Sequence, residues 1–291
     1  MSRGRYFVLA AAMLGVLLLA TTVKAHGPEG VLRIVVLPCS NVVRTYERFQ
    51  PLLNYLAEAT GHKFEARYPK SEKELIDLVK GNAADFIFHA PHILPELADF
   101  LDTDNLIQSL TETGETSKTG IIVVREDSGI KSMQDLRGKD VLLGMQCSSG
   151  QMRAALNLFK QHGIDLDKDL HSYAQGGCCE DIAFNVSLGA ADAGMICSLF
   201  FKEYQGKKKD ISKRLVKIAE TGPLATRVFA AHRNTDKNIA ASVVQALLEM
   251  KQSDPRHVSV LKMVEVGGFV GVGPEIIDAP LTTSGESPAA R

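Results

Sequence analysis

Leu32 to Gly61 reads LRIVVLPCSNVVRTYERFQPLLNYLAEATG, and its two halves carry different periods. Leu32 to Leu37 is a short apolar run interrupted only by Arg33, the composition of a buried strand, and Pro38 ends it. Val43, Tyr46, Phe49, Leu52, Leu53, Leu56 and Ala59 then recur at spacings of three and four, one face of a helix that Gly61 stops. A strand feeding directly into an amphipathic helix begins a βαβ unit.

The same alternation continues along the chain. Phe64 to Tyr68 is a second strand, Ser71 caps a helix with Glu74 at the capping-box position, and Asp85 to His89 is a third strand. Thr119 to Val124 begins a different unit: a turn-rich connector over Ile130 to Gly138, a strand over Val141 to Gly144, and a helix from Ser149 to His162. A strand over Ser172 to Ala174, a helix over Glu180 to Leu188, a strand over Ala193 to Ile196 and a long polar helix over Leu199 to Leu215 complete it. Val216 to Ala219, Val228 to Ala231 and the helical spacing of Ile239 to Met250 read as a return to the first unit. The expected architecture is α/β with two lobes, each a mixed sheet flanked by helices, joined by two hinge strands near 119–123 and 219–228. Lobe 1 takes residues 31–118 and 223–279, lobe 2 takes 119–222, and a Ser, Thr, Pro and Ala rich tail from Pro280 is read as disordered.

Residues 1–25 have the form of a signal peptide. Arg3 and Arg5 precede a mostly apolar stretch from Tyr6 to Ala20, and Val23-Lys24-Ala25 has the small-x-small shape of a cleavage site, so cleavage is expected after Ala25. The expected location is the periplasm. A formal charge of −1 without a Lys/Arg stripe argues against nucleic acid, and Lys207-Lys208-Lys209 reads as a solvated face.

Several motifs in order carry a family resemblance: Pro38 after the first strand, Asp85-Phe86-Ile87, Asp127-Ser128-Gly129-Ile130, Asp135-Leu136-Arg137-Gly138-Lys139, Ser148-Ser149-Gly150 opening a helix, and Gly189-Ala190-Ala191-Asp192-Ala193-Gly194. From about Leu32 to Val272 the chain resembles the phosphonate-binding subfamily of periplasmic solute-binding proteins, with a fold of the type II kind. The resemblance implies a hinge-closing receptor that is not an enzyme. Such a receptor takes a small oxyanion and passes it to an ABC transporter permease, or reports it to a sensor histidine kinase, with no cofactor.

The residues themselves agree with an oxyanion guest. Ser148, Ser149 and Gly150 open a helix, so unpaired backbone N–H groups and two hydroxyls face whatever sits there. An ordinary serine N-cap has the same sequence. His89 ends a strand where the resemblance implies an aromatic ligand contact. A metal reading of His89 with His92 is weaker, because Pro91 breaks the helical i, i+4 geometry such a pair would use.

Five cysteines depart from the pattern. Cys39 with Ser40 follows the first strand, Cys147 precedes the serine loop, Cys178 and Cys179 precede a helix, and Cys197 ends a strand. All five fall at carboxyl ends of strands, where open α/β sheets bind ligands. The resemblance aligns Cys179 with a ligand-binding histidine and Cys147 with a hydroxyl position. It aligns Glu180 and Asp192 with acids that hold a substrate ammonium group, and places Thr119 in a stretch that carries a tyrosine elsewhere. Three explanations compete for the thiols: disulfides worth about 2 to 4 kcal/mol each, a soft-metal site, or capture of a thiophilic oxyanion. Five is odd, so at least one thiol stays free in a monomer, and the pairing is open among Cys178 or Cys179 with Cys147 or Cys197.

Charge favours the third. A doubly charged phosphate or phosphonate beside Glu180 and Asp192 would meet repulsion of ~4 kcal/mol per pair at ~4 Å. Arsenite is neutral at pH 7 and bonds to sulfur, so the expected function is arsenite capture for sensing through a histidine kinase, as in the arsenite-sensing members that this chain resembles. The alternative is ABC-transporter uptake of phosphonate, phosphite or phosphate. A thiol oxidoreductase is disfavoured because adjacent cysteines form a strained ring.

Overall fold

The computed structural model describes residues 30–38, 42–145, 149–207 and 214–277. The signal-peptide reading, Cys39, Ser40, Cys147, Ser148 and the tail from Pro280 lie outside them. Strands β1 (Val31–Val35), β2 (Lys63–Arg67), β3 (Phe86–His89), β4 (Leu106–Leu110), β10 (Val228–Ala231) and β11 (Gly268–Val272) form one sheet in the order β11-β4-β10-β3-β1-β2. In the other sheet β5 (Ser117–Arg125), β6 (Asp140–Met145), β7 (Ser172–Gly176), β8 (Ala193–Cys197) and β9 (Leu215–Ala225) follow the order β7-β6-β8-β5-β9. Each is mixed. β1, β2 and β3 run parallel, as do β6, β7 and β8, while β10 and β5 pair with their neighbours antiparallel. The α/β fold of two mixed sheets read from the sequence is the observed one.

Helices cover both faces of each sheet. In lobe 1, α1 (Val42–Thr60), α8 (Lys237–Leu248) and α9 (Pro255–Met263) press Phe49, Leu52, Leu56, Val243 and Leu261 against Phe86, Phe88 and Phe229. The opposite face takes Leu75 and Val79 of α2 (Glu72–Lys80) and Leu94 and Leu97 of the short α3 (Leu94–Leu97). In lobe 2, α4 (Ser149–Gln161) and the single-turn α5 (Leu166–Asp169) cover one face, and α6 (Cys179–Leu188) and α7 (Ser198–Lys207) the other. The Ser71 cap forms as read, its hydroxyl accepting the Glu74 N–H at 3.2 Å.

Three readings need correction. The polar helix does not reach Leu215, which is buried and opens β9, because its side chain completes the apolar layer under β5. The 119–123 segment expected as a hinge lies within β5, where Ile121 to Val124 are buried and paired on both sides. The chain instead passes between sheets where the Thr226 N–H donates to Thr116 O at 2.9 Å and the Ser109 N–H to Arg227 O at 2.8 Å. β4, β11 and α9 have no counterpart among the sequence expectations. Gln108 and Ser109 break the apolar run of β4, yet both are buried and satisfied, Gln108 Nε2 donating to Thr116 O and Ser109 Oγ to Arg227 O.

Candidate functional site

Parallel strands put the helix that follows each of them at one edge of the sheet. In lobe 2 that edge gathers the amino ends of α4, α6 and α7, which follow β6, β7 and β8. In lobe 1 it gathers the amino ends of α1 and α2 and the 3₁₀ turn Pro91–Ile93 after β3. The two edges face each other. A Cβ built on Gly150, in the first turn of α4, would stand 3.0 Å from His92 Nδ1, so the lobes touch there. A second approach is electrostatic: Arg44, in the first turn of α1, helps to hold the Asp181 carboxyl below its usual range, after the larger effect of hydrogen bonds from Cys178.

The doublet Cys178-Cys179 has a local explanation. Cys178 is the N-cap of α6, and its backbone N–H donates to Asp181 Oδ2 at 3.0 Å. That carboxylate folds back over Gly177, where a Cβ would lie 2.4 Å from Asp181 Oδ2, so a side chain there would displace the cap. Cys179 turns inward instead. It is buried with Ile121, Val123, Ile182 and Ile196, and its Sγ accepts the Cys197 N–H at 3.3 Å. Burial, with Cys197 nearby, pushes the Cys179 thiol up to about 12. A thiol in that setting is a packed apolar group rather than a nucleophile or a metal ligand. Among the described residues Cys178, Cys179 and Cys197 carry reduced thiols, and none forms a disulfide.

The acids separate. Glu180 is exposed in the first turn of α6, at the cleft edge. Asp192 precedes β8, where its Oδ2 accepts the Asp140 N–H at 3.0 Å and its own N–H donates to Asp140 O at 2.9 Å. Asp140 opens β6, so this pair ties the amino ends of two parallel strands together. Five residues of β8, about 15 Å of strand, divide Asp192 from the edge where ligands bind. A motif match alone could not distinguish the two ends of a strand.

Thr119 also has a structural partner set. Its N–H donates to Ser198 Oγ at 3.3 Å and its hydroxyl to Glu220 on β9, fastening β5 to α7 and to β9. Ser149 and Gly150 begin α4 as expected, with Gly150 buried at the seam.

His89 and His92 come together despite Pro91, because the proline starts a 3₁₀ turn that bends the chain after β3. Their rings lie 5.3 Å apart at 63°. His92 Nε2 is 2.8 Å and His89 Nε2 3.7 Å from the same atom, Glu72 Oε1. His89 Nδ1 lies 3.2 Å from Ala90 O. Burial, and then His92, push the His89 pKa down to about 4, so the imidazole is neutral at pH 7. Sequence reasoning missed Arg44, Glu72 and Asp181. Their positions in the first turns of helices that follow strands were the available signal.

The profile of the periplasmic substrate-binding proteins of phosphonate ABC transporters matches residues 34–275. Solved structures share the fold. A binding protein component of an ABC phosphonate transporter from Pseudomonas aeruginosa superposes with a TM-score of 0.70 at 13% identity, covering 85% of this chain and 83% of its own. A Prochlorococcus marinus protein in complex with methylphosphonate gives 0.71 at 13% identity over 85% and 94%. A Xanthomonas citri protein bound to chloride gives 0.70 at 18% identity over 86% and 94%. The match over most of the chain, on the two-sheet frame described, means that the chain belongs to the family of periplasmic substrate-binding proteins of phosphonate ABC transporters.

Proposed function

We propose that this protein is exported by its leader, cleaved after Ala25, and captures a small phosphonate-type oxyanion for a membrane permease. The observation that carries this reading is the meeting of the α4 amino end with His92 across the seam between lobes. Backbone N–H groups at the start of α4 supply donors and partial positive charge for anion oxygens. Arg44, on the opposing edge, brings a full positive charge that it shares with Asp181.

The electrostatic objection to a charged anion weakens with Asp192 removed from the cleft. At about 15 Å its charge lies beyond the Debye length of ~8 Å, and its carboxylate is already engaged by a backbone donor. Glu180 and Asp181 remain at the edge and favour a ligand that carries an ammonium or hydroxyl group beside its anionic one. Arsenite capture has less behind it, since two of the thiols that suggested it sit in an apolar cluster. The family match supports a transporter permease rather than a histidine kinase as the partner.

Isothermal calorimetry on the mature protein tests this with methylphosphonate, 2-aminoethylphosphonate, phosphite, phosphate and arsenite. Saturable one-to-one binding of at least one phosphorus oxyanion, with arsenite silent, is expected. Binding of arsenite alone would return the function to sulfur.

A further inference from the structure

We propose that Glu72, His89 and His92 form a site for one divalent transition-metal ion of zinc-like preference. The three come from separate pieces of lobe 1: the first residue of α2, the last of β3, and the middle of the 3₁₀ turn. One donor atom from each lies within 4.8 Å of the others. Tetrahedral ligands ~2.0 to 2.1 Å from zinc stand ~3.4 Å apart. The Glu72–His92 contact of 2.8 Å would open by about half an ångström, and the Glu72–His89 span of 3.7 Å would barely change.

A plain hydrogen bond between Glu72 and His92 explains one of these contacts. It does not explain why a second imidazole aims its Nε2 at the same carboxylate oxygen from beyond hydrogen-bond range. The backbone carbonyl of Ala90 faces His89 Nδ1, the usual way a ligating imidazole is oriented. The other edge of the His92 ring faces Gly150, where a side chain would have no room. The histidine side chains are 5% and 2% exposed, whereas that of Glu72 is 20% exposed and gives an ion a way in. Two imidazoles and a carboxylate suit zinc, copper or nickel rather than calcium or magnesium. All three donors belong to lobe 1, but His92 also lines the seam with α4, so the titration below is run without a cleft anion.

The test is titration of chelator-stripped, anion-free protein with Co2+ alone, followed by displacement with Zn2+. One Co2+ per chain is expected, with visible d–d bands of a nitrogen and oxygen ligand set and no thiolate charge-transfer band. Glu72→Gln and His92→Ala should each weaken binding about tenfold or more, while Cys179→Ser leaves it unchanged. The fold of each variant is checked by far-UV circular dichroism and by its metal-free Tm. Should His92→Ala fail to fold, the partly exposed Glu72→Gln decides. No saturable binding by the intact protein, a thiolate band, or wild-type affinity in Glu72→Gln would each overturn the site.

Discussion

His92 Nδ1 lies 3.0 Å from where a Cβ on Gly150 would be, so α4 of one lobe and the turn after β3 of the other meet closer than a methyl group ordinarily tolerates. Gly150→Ala therefore pushes the two edges apart while improving the helix itself. Affinity for methylphosphonate, or for whichever oxyanion binds best, should fall about three- to tenfold. The Tm should hold or rise, since alanine in a helix gains roughly 0.5 to 1 kcal/mol over glycine. Calorimetry and thermal melts on the same samples separate the two effects, and unchanged affinity would remove the seam from the binding site.

The Arg33–Asp85 pair is the buried ionic contact under lobe 1. Arg33 donates to both carboxylate oxygens, at 2.8 and 3.2 Å, and its backbone N–H donates to Oδ2 at 2.7 Å. Both side chains are under 10% exposed. Asp85→Asn removes the counter-charge of the guanidinium, which keeps only its bond to Asn82 O, and should cost about 3 to 5 kcal/mol in urea unfolding; adding Arg33→Met should recover most of the loss.

Acid should destabilise the metal-free protein through His89. The unfolded imidazole takes a proton near 6.5, but the folded one resists until about 4. Between those values the unfolded state binds more protons, so stability falls as pH drops from 6.5 to 4, by about 3 kcal/mol in all. His232, lowered chiefly by burial, acts in the same direction. Urea midpoints at pH 7.5 and 4.5 should differ less in His89→Gln than in the wild type, and an unchanged difference would show that His89 carries none of it.

Thiol chemistry should discriminate within the doublet. Cys178 is half-buried at a helix cap, whereas Cys179 and Cys197 are buried. Both Cys178 and Cys179 are raised by burial, but only Cys179 reaches about 12. Iodoacetamide at pH 8, followed by peptide mapping, should label Cys178 before Cys179 and Cys197, which react only on unfolding. Early labelling of Cys179 in native protein would reopen the case for sulfur in the cleft.

Local pattern by itself determined the α/β character, the order of most strands and helices and the Ser71 cap, because a period of two or of three to four is written within a dozen residues. Strands such as β4, whose polar Gln108 and Ser109 find partners more than five residues away, were illegible for the same reason. Which end of a strand faces the ligand, and which side chain faces whom, depends on how distant segments pack. Tertiary structure alone sent Asp192 to the far end of β8, turned Cys179 into the apolar layer, and brought Glu72, His89 and His92 to one point. Those outcomes follow from strand direction and from burial competing with solvation, neither of which a residue's neighbours in sequence can fix.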